Sequence, residues 1–572
     1  MVQFRITTAV KAESSVFTAV WVWGRIRDVH KRERGKEMKR RNRLISMLLT
    51  ATLAFTVPAY GIQAEESDEH HVPMLRVGTQ SGQTIFSAAN SGSAFGRMNY
   101  NSFTQENLLQ RDENGDIQPA FFQSWEFNDD ATEMTFTYPT NAYWHDGEPV
   151  TYDDIEFTLF KLNELYNYGI EKVELIEEGT GKISFAAPVG IYYLNRMTIT
   201  APLLAKHIWE GQDVDTYNGE DAAIGCGPYK FVSYDQDAQI SYYEAVDNYY
   251  GDEVTVDQVS VKTYSGQEAL VMALANNEID CIYDYSNPVD VSLIETLLDD
   301  ANIDVGESDN IGTYYMTFGC GSAPFDNADF RGAIINAIDY TITAEVVNGS
   351  YGQVPSIGMI PPSNLGYDPE LPAMEQNSEL SNQLLDELGY VDVDGDGYRE
   401  TPEGEQMDLM VTVQSTVRPE MFMRLYDVVS QDLTAVGIRT HIDEESLNNS
   451  DVLRERTQSG AYEIYMGICT SGAAPIQSVY MYVLESSRLP AGTCPGDEIN
   501  EYYQKALAAT TAEEYEECMK KVQELNATVY AGAALCWDKT FFPYRTDTMT
   551  GWTNFPAWGV INYKTWTDTV LK

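Results

Sequence analysis

From about residue 74 onward, short segments that alternate apolar and polar residues are interleaved with segments whose apolar residues recur every three or four positions. That interleaving confines the chain to α/β architecture. EMTFTYP (133–139) alternates as a half-buried strand does, and MLRVGTQ, QISYYEAV, VDQVSVKTYS, DLMVTVQ and IRTHID also read as strands. TYDDIEFTLFKLNELYNY begins with Thr151 at a helix N-cap and Asp154 three residues on, then sets Ile155, Leu159 and Leu162 on one face, which predicts a capped amphipathic helix. GQEALVMALANNEID, DFRGAIINAIDYTITAEVVNG, LSNQLLDELGYV and MFMRLYDVVSQDLTAVG read as further helical regions, the second as one region ending near Gly349. No repeat of 20–50 residues interrupts the series.

At 572 residues the chain exceeds one ordinary domain, and two or three are expected. The segment 38–64 carries a basic cluster, the apolar run Leu44–Val57 and small residues ending at Ala64, the pattern of an export signal too short to span a bilayer. Gly35–Met38 would be encoded by purine-rich codons, so residues 1–37 read as a misassigned extension ahead of a true start at Met38. No cysteine near Ala64 offers a site for lipid attachment, and the expected location is the periplasm or the outer cell surface. A formal net charge of −50 repels nucleic acid and anionic lipid, and excludes both as partners. The seven cysteines are widely spread with no C-x2-C pair, so neither a zinc site nor a particular disulfide follows from them.

VDVDGDGYRETPE (391–403) has the spacing of a calcium loop. Asp392, Asp394, Asp396 and Glu403 would supply carboxylates, Tyr398 its carbonyl, and Glu400 would act through water. A strand follows it where a calcium sensor has a second helix, so the alternatives are a structural calcium staple and a simple turn.

Six stretches in order along the chain resemble the family 5 extracellular solute-binding proteins, the oligopeptide, dipeptide and nickel-type receptors of ABC importers. They are WHDGEPVTYDDIEFT (144–158), IGCGPYKFVSYD (224–235), DNYYG (247–251), EALVMALANNEID (268–280), PFDNADFRGAIINAID (324–339) and QDLTAVGI (431–438). Physically, Asp146-Gly147 makes a turn, Trp144 reads as a packed core aromatic, and the glycines of GCGPY allow a sharp turn before a strand. The Arg331 and Asp339 helix reads as structural. The resemblance implies a two-lobed periplasmic-binding-protein-like fold with a ligand cleft between lobes joined by two crossing segments. Lobe I would hold 65–311 and the returning tail 534–572, and lobe II 312–533. It also implies a monomer without a required cofactor that captures a peptide-like or other small solute by lobe closure and delivers it to a membrane permease.

Ligand-contact candidates in such a cleft are Tyr283, Tyr285, Tyr314, Tyr315 and Trp537, with Arg418 as a bidentate carboxylate holder. Many peptide-binding members carry an aspartate after a Gly-Trp pair in the second lobe that grips the ligand's α-amino group. The corresponding stretch here, MGICTSGAAP (466–475), has no acid, and Ser471 and Gly472 are the hydrogen-bonding candidates in its place. The rival readings are a secreted hydrolase and a surface interaction protein. The chain has no G-x-S-x-G and no H-E-x-x-H, while its 87 acidic residues offer many carboxylate pairs of the kind that cleaves glycosides.

Overall fold

The computed structural model describes residues 71–80 and 103–572, apart from 167, 214–216, 218, 285–287, 309–311, 471–479, 485–496 and 556–558. The export-signal expectation at 38–64, and Tyr285, Ser471 and Gly472, lie outside the described residues. Two sheets organise the rest. A seven-stranded sheet runs in the order Ile303–Glu307, Phe541–Arg545, Cys281–Ile282, Leu75–Thr79, Gln258–Thr263, Ile240–Ala245, Tyr229–Asp235. At its centre Leu75–Thr79 is parallel to both Gln258–Thr263 and Cys281–Ile282. A five-stranded sheet runs Arg439–Ile442, Asp408–Val413, Ile464–Thr470, Gly312–Phe318, Gly532–Asp538. Its Asp408–Val413 strand is parallel to both neighbours. A third, antiparallel sheet of four strands spans 124–185 and carries its own core around Phe122, Phe136 and Trp144.

The local code of the capped helix holds. Asp154 accepts from the Thr151 N–H at 2.8 Å and hydroxyl at 2.9 Å, starting the helix Tyr152–Tyr166. The region read as one helix at 328–349 is two, Ala328–Ala337 and Tyr340–Asn348. Asp339 makes the break, because its carboxylate accepts from the Thr341 and Ile342 N–H groups and caps the second helix. Arg331 is structural: 1% exposed, it donates to the Phe325, Val529 and Tyr530 carbonyls, tying its helix to the end of Ala512–Val529.

Two of the resembling stretches fold onto each other. His145 accepts from the Gly225 N–H through Nδ1 at 3.2 Å and donates through Nε2 to the Gly227 carbonyl at 3.0 Å. Those partners assign the neutral, Nε2-protonated tautomer. The chain bends at Cys226–Pro228 before strand Tyr229–Asp235, as GCGPY suggested, yet neither glycine has a positive φ. They are needed for close approach: a Cβ on Gly225 would lie 1.9 Å from the Thr104 carbonyl oxygen, and one on Gly227 2.6 Å from that of Phe103. Asp146-Gly147 does form its turn, with Gly147 at φ +94°, and Trp144 is 2% exposed in the core. Cys320 is disulfide-bonded, and the cysteines at 226, 281, 469, 518 and 536 are in no disulfide.

Candidate functional site

Parallel strands leave their carboxyl ends on one side of a sheet, where the following loops diverge and open a crevice. Here the ends of Leu75–Thr79, Gln258–Thr263 and Cys281–Ile282 deliver Gln80, Tyr264–Glu268 and the segment Pro288–Leu293 to one wall of a cavity of about 820 Å³. The facing wall comes from the five-stranded sheet. Its Asp408–Val413 strand leads to Arg418–Met421 and Arg424, while Gly312–Phe318 contributes Tyr314. Lys539 and Phe541 complete the lining from the second passage of the chain between the sheets.

The two passages run side by side. Glu307 pairs in register with Phe541 in one sheet, and Gly312 with Asp538 in the other. Between them the Ser308 N–H donates to the Thr540 carbonyl at 2.8 Å, the Thr540 N–H donates to the Ser308 hydroxyl at 2.7 Å, and Lys539 pairs with Glu307 at 2.6 Å. So few backbone connections let the halves rotate about them.

Arg418 sits at the centre of the second wall. It is the N-cap of helix Pro419–Ala435 in a left-handed conformation, φ +50° and ψ +48°, which a residue with a side chain holds at a cost of about 1 kcal/mol and which clusters at functional sites. Its guanidinium donates to Asp538 at 2.6 and 3.3 Å and to the Tyr314 hydroxyl. Asp538 and Tyr314 are each about 1% exposed. Burial alone would lower the Arg418 pKa, but Asp538 and Tyr314 reverse this and hold it above its ordinary value. Burial pushes the Tyr314 hydroxyl up, with Arg418 opposing. The bidentate fork expected to hold a ligand carboxylate therefore already holds Asp538, a residue hidden in sequence among 87 acids. Its Nε–H is buried without a hydrogen-bond partner among the described residues.

A second ion pair crosses the cavity. Arg424 reaches Asp290 at 2.9 Å, and Asp290 also accepts from the Ser292 N–H and hydroxyl. Burial opposes ionisation of Asp290, yet the hydrogen bonds from Arg424 and Ser292 outweigh it and keep this carboxyl below its usual range. Tyr264, Gln267, Asp290, Arg424 and Lys539 were not singled out in sequence, because only the topology brings them together.

The other expected contacts are placed as follows. Tyr314 lines the cavity, with its hydroxyl taken by Arg418. Tyr283, 2% exposed, lies in the core of the seven-stranded sheet with its ring 6.4 Å from that of Phe542. Tyr315 packs opposite Gly467 with its ring 6.1 Å from Tyr465, and Trp537 is 2% exposed within its strand. Those three are absent from the described lining, because strand alternation turns them into packed layers.

In the acidic loop, ligand atoms of Asp392, Asp394 and Asp396 lie within 4.8 Å of one another, all on exposed residues. That group does not include Glu400 or Glu403. Glu400 instead accepts from the Val393 N–H at 2.7 Å, and Arg439 takes an Asp396 oxygen at 3.1 Å while lying 3.9 Å over the Tyr398 ring. The carboxylates also close turns of their own, with Asp392 accepting from Gly395 and Gly397. The buried Arg399 fixes the loop from beneath through the Val436 carbonyl, Asn382 and Asp386. Helix Ser378–Glu387 precedes the loop and strand Asp408–Val413 follows it, so the second helix of an EF-hand is replaced by a strand, and three of the six expected ligands, Asp392, Asp394 and Asp396, lie close together.

Residues 116–488 match the family described as bacterial extracellular solute-binding proteins, family 5 middle. Heme-binding protein A of Haemophilus influenzae is 23% identical over 378 residues, 60% of this chain and 65% of that protein's own length. The oligopeptide-binding protein AppA of Bacillus subtilis, solved with a nonapeptide, superposes with a TM-score of 0.71 at 18% identity, covering 87% of this chain and 99% of that one. A mannohexaose-bound oligopeptide-binding protein of Thermotoga maritima gives a TM-score of 0.68 at 18% identity, covering 89% and 99%. The fold is thus the two-lobed one of periplasmic binding proteins, its sheets marking the lobes and the cavity lying in the cleft.

Proposed function

The chain belongs to the bacterial extracellular solute-binding proteins, family 5, and from that premise we propose that it is an extracytoplasmic receptor of an ABC importer. It captures a peptide-like or other small solute by closing its lobes and presents the closed form to a membrane permease. The observation that carries this reading is the cavity of about 820 Å³ walled by both sheets across two short passages. Its volume suits a solute of several residues or sugar units. We place lobe I at 65–311, with the return to it at Lys539, because Gly532–Asp538 is hydrogen-bonded into the five-stranded sheet of lobe II. Residues 38–64 direct export, and among the described residues no helix is long and apolar enough to cross a membrane.

Within that site Tyr314 and Arg418 are the contacts we retain, joined by Tyr264, Gln267 and Phe541. Tyr285, Ser471 and Gly472 keep their sequence-based place as contacts. Capture needs no bond to break and no cofactor. A thermal-shift screen against peptides, oligosaccharides and nickel chelates tests the proposal. A true solute at a hundred times its Kd stabilises the folded protein by about 2.7 kcal/mol. Steady turnover of a peptide or glycosidic bond by the purified protein would overturn the reading.

Calcium in the acidic loop would act as a staple remote from capture. Titration calorimetry decides it: uptake with a Kd on the order of 10⁻⁴ M that Asp394→Asn abolishes establishes the ion. A flat titration leaves the loop a helix-to-strand connection.

A further inference from the structure

Three cationic side chains line the cavity among the described residues, and each already faces a carboxylate. Arg418 holds Asp538 at 2.6 Å, Arg424 holds Asp290 at 2.9 Å, and Lys539 holds Glu307 at 2.6 Å. Two further carboxylates in the lining have no such partner. Glu268 stands on helix Gln267–Ala275 of lobe I and Glu420 on helix Pro419–Ala435 of lobe II, both exposed and neither in an ion pair or side-chain hydrogen bond among the described residues.

Both acids sit in the first turn of their helices, where the dipole supplies roughly half a positive charge each. Against two carboxylates that leaves an excess of about one negative charge, shared between opposing walls. A cleft with low-dielectric walls focuses such a field, and closure brings both walls to one solute. Arg418 cannot offset it, because its charge is spent on Asp538.

We infer that the solute carries a positive charge, an amine or guanidinium group lodged between Glu268 and Glu420, and that it presents no carboxylate to Arg418, whose fork Asp538 already fills. This rests on the capture proposed above. Folding alone does not explain the arrangement, since helix-dipole compensation would account for each acid singly but not for their lining the same cavity with every cation in that lining already matched.

Titration calorimetry with probes that differ only in charge tests it. Suitable pairs are Ala-Lys-Ala-amide against N-acetyl-trialanine-amide, and a glucosamine trimer against its fully N-acetylated form, with N-acetyl-Ala-Glu-Ala as the anionic control. In at least one pair the cationic member is expected to bind about tenfold more tightly than the neutral one, with the ratio shrinking as salt is added. The double variant Glu268→Gln, Glu420→Gln is expected to bring that ratio close to one. Equal affinities within both pairs, tighter binding of the anionic control, or a ratio unchanged in the double variant would each overturn the charge assignment while leaving solute capture standing. No heat from any probe, with no thermal shift in the broader screen, would overturn capture itself and this inference with it.

Discussion

Replacing Arg418 by alanine is expected to destabilise lobe II by about 3 kcal/mol or more, read as a shift of its urea transition to lower concentration. The loss does not come from the ion pair's net strength, which desolvation largely cancels. It comes from what remains: Asp538 is about 1% exposed, and without Arg418 its carboxylate is left in the interior beside the Tyr314 hydroxyl with no cation. Adding Asp538→Asn to the variant should recover part of the loss, because the stranded charge then disappears. A penalty below about 1 kcal/mol would place the pair in the class of solvated surface bridges. Since Asp538 lies at the end of the strand entering the second passage, the same variant should weaken whatever solute the screen identifies.

The second large effect is a dependence on pH below neutrality. Burial, the leading cause, lowers the His145 pKa to about 4, with the hydrogen bond to the Gly227 carbonyl opposing. Geometry agrees, since Nδ1 accepts from the Gly225 N–H and cannot take a proton without losing that bond. In the unfolded chain the imidazole titrates near its usual value of about 6.5. Between these values the unfolded state binds a proton that the folded state refuses. Stability therefore falls as pH drops from about 6.5 to 4, by about 3 kcal/mol in all. Denaturation curves at pH 7, 6, 5 and 4 for the wild type and for His145→Asn should converge toward low pH, as the variant lacks this term. Curves that stay parallel would show that His145 gains its proton without strain.

Much of the fold could be read from local patterns, because those patterns act over a few residues. Thr151 and Asp154 announced a capped helix, and both sheets were foreshadowed by alternating segments. Asp339 before Tyr-Thr-Ile-Thr was a usable N-cap signal that a continuous apolar pattern overrode. The site was harder to see. That His145 would hold Gly225 and Gly227 is a relation across 80 residues, and each stretch alone reads only as a turn. Arg418 could be nominated as a carboxylate holder from its residue type, but its partner could not, since the acid that fills its fork lies 120 residues away. Tyr283, Tyr315 and Trp537 were plausible contacts by residue type, and only strand register decides that they face packed layers. Glu268 and Glu420 resemble ordinary first-turn acids until the topology sets them on opposite walls.

Lobe closure on a solute is the central claim, and small-angle X-ray scattering of the purified protein tests it most directly. With the tightest solute from the screen at saturation, the radius of gyration should contract relative to the free protein, and the maximum dimension with it. Saturating binding that leaves both unchanged would contradict capture by closure, and so would scattering that changes only as the solute is cleaved.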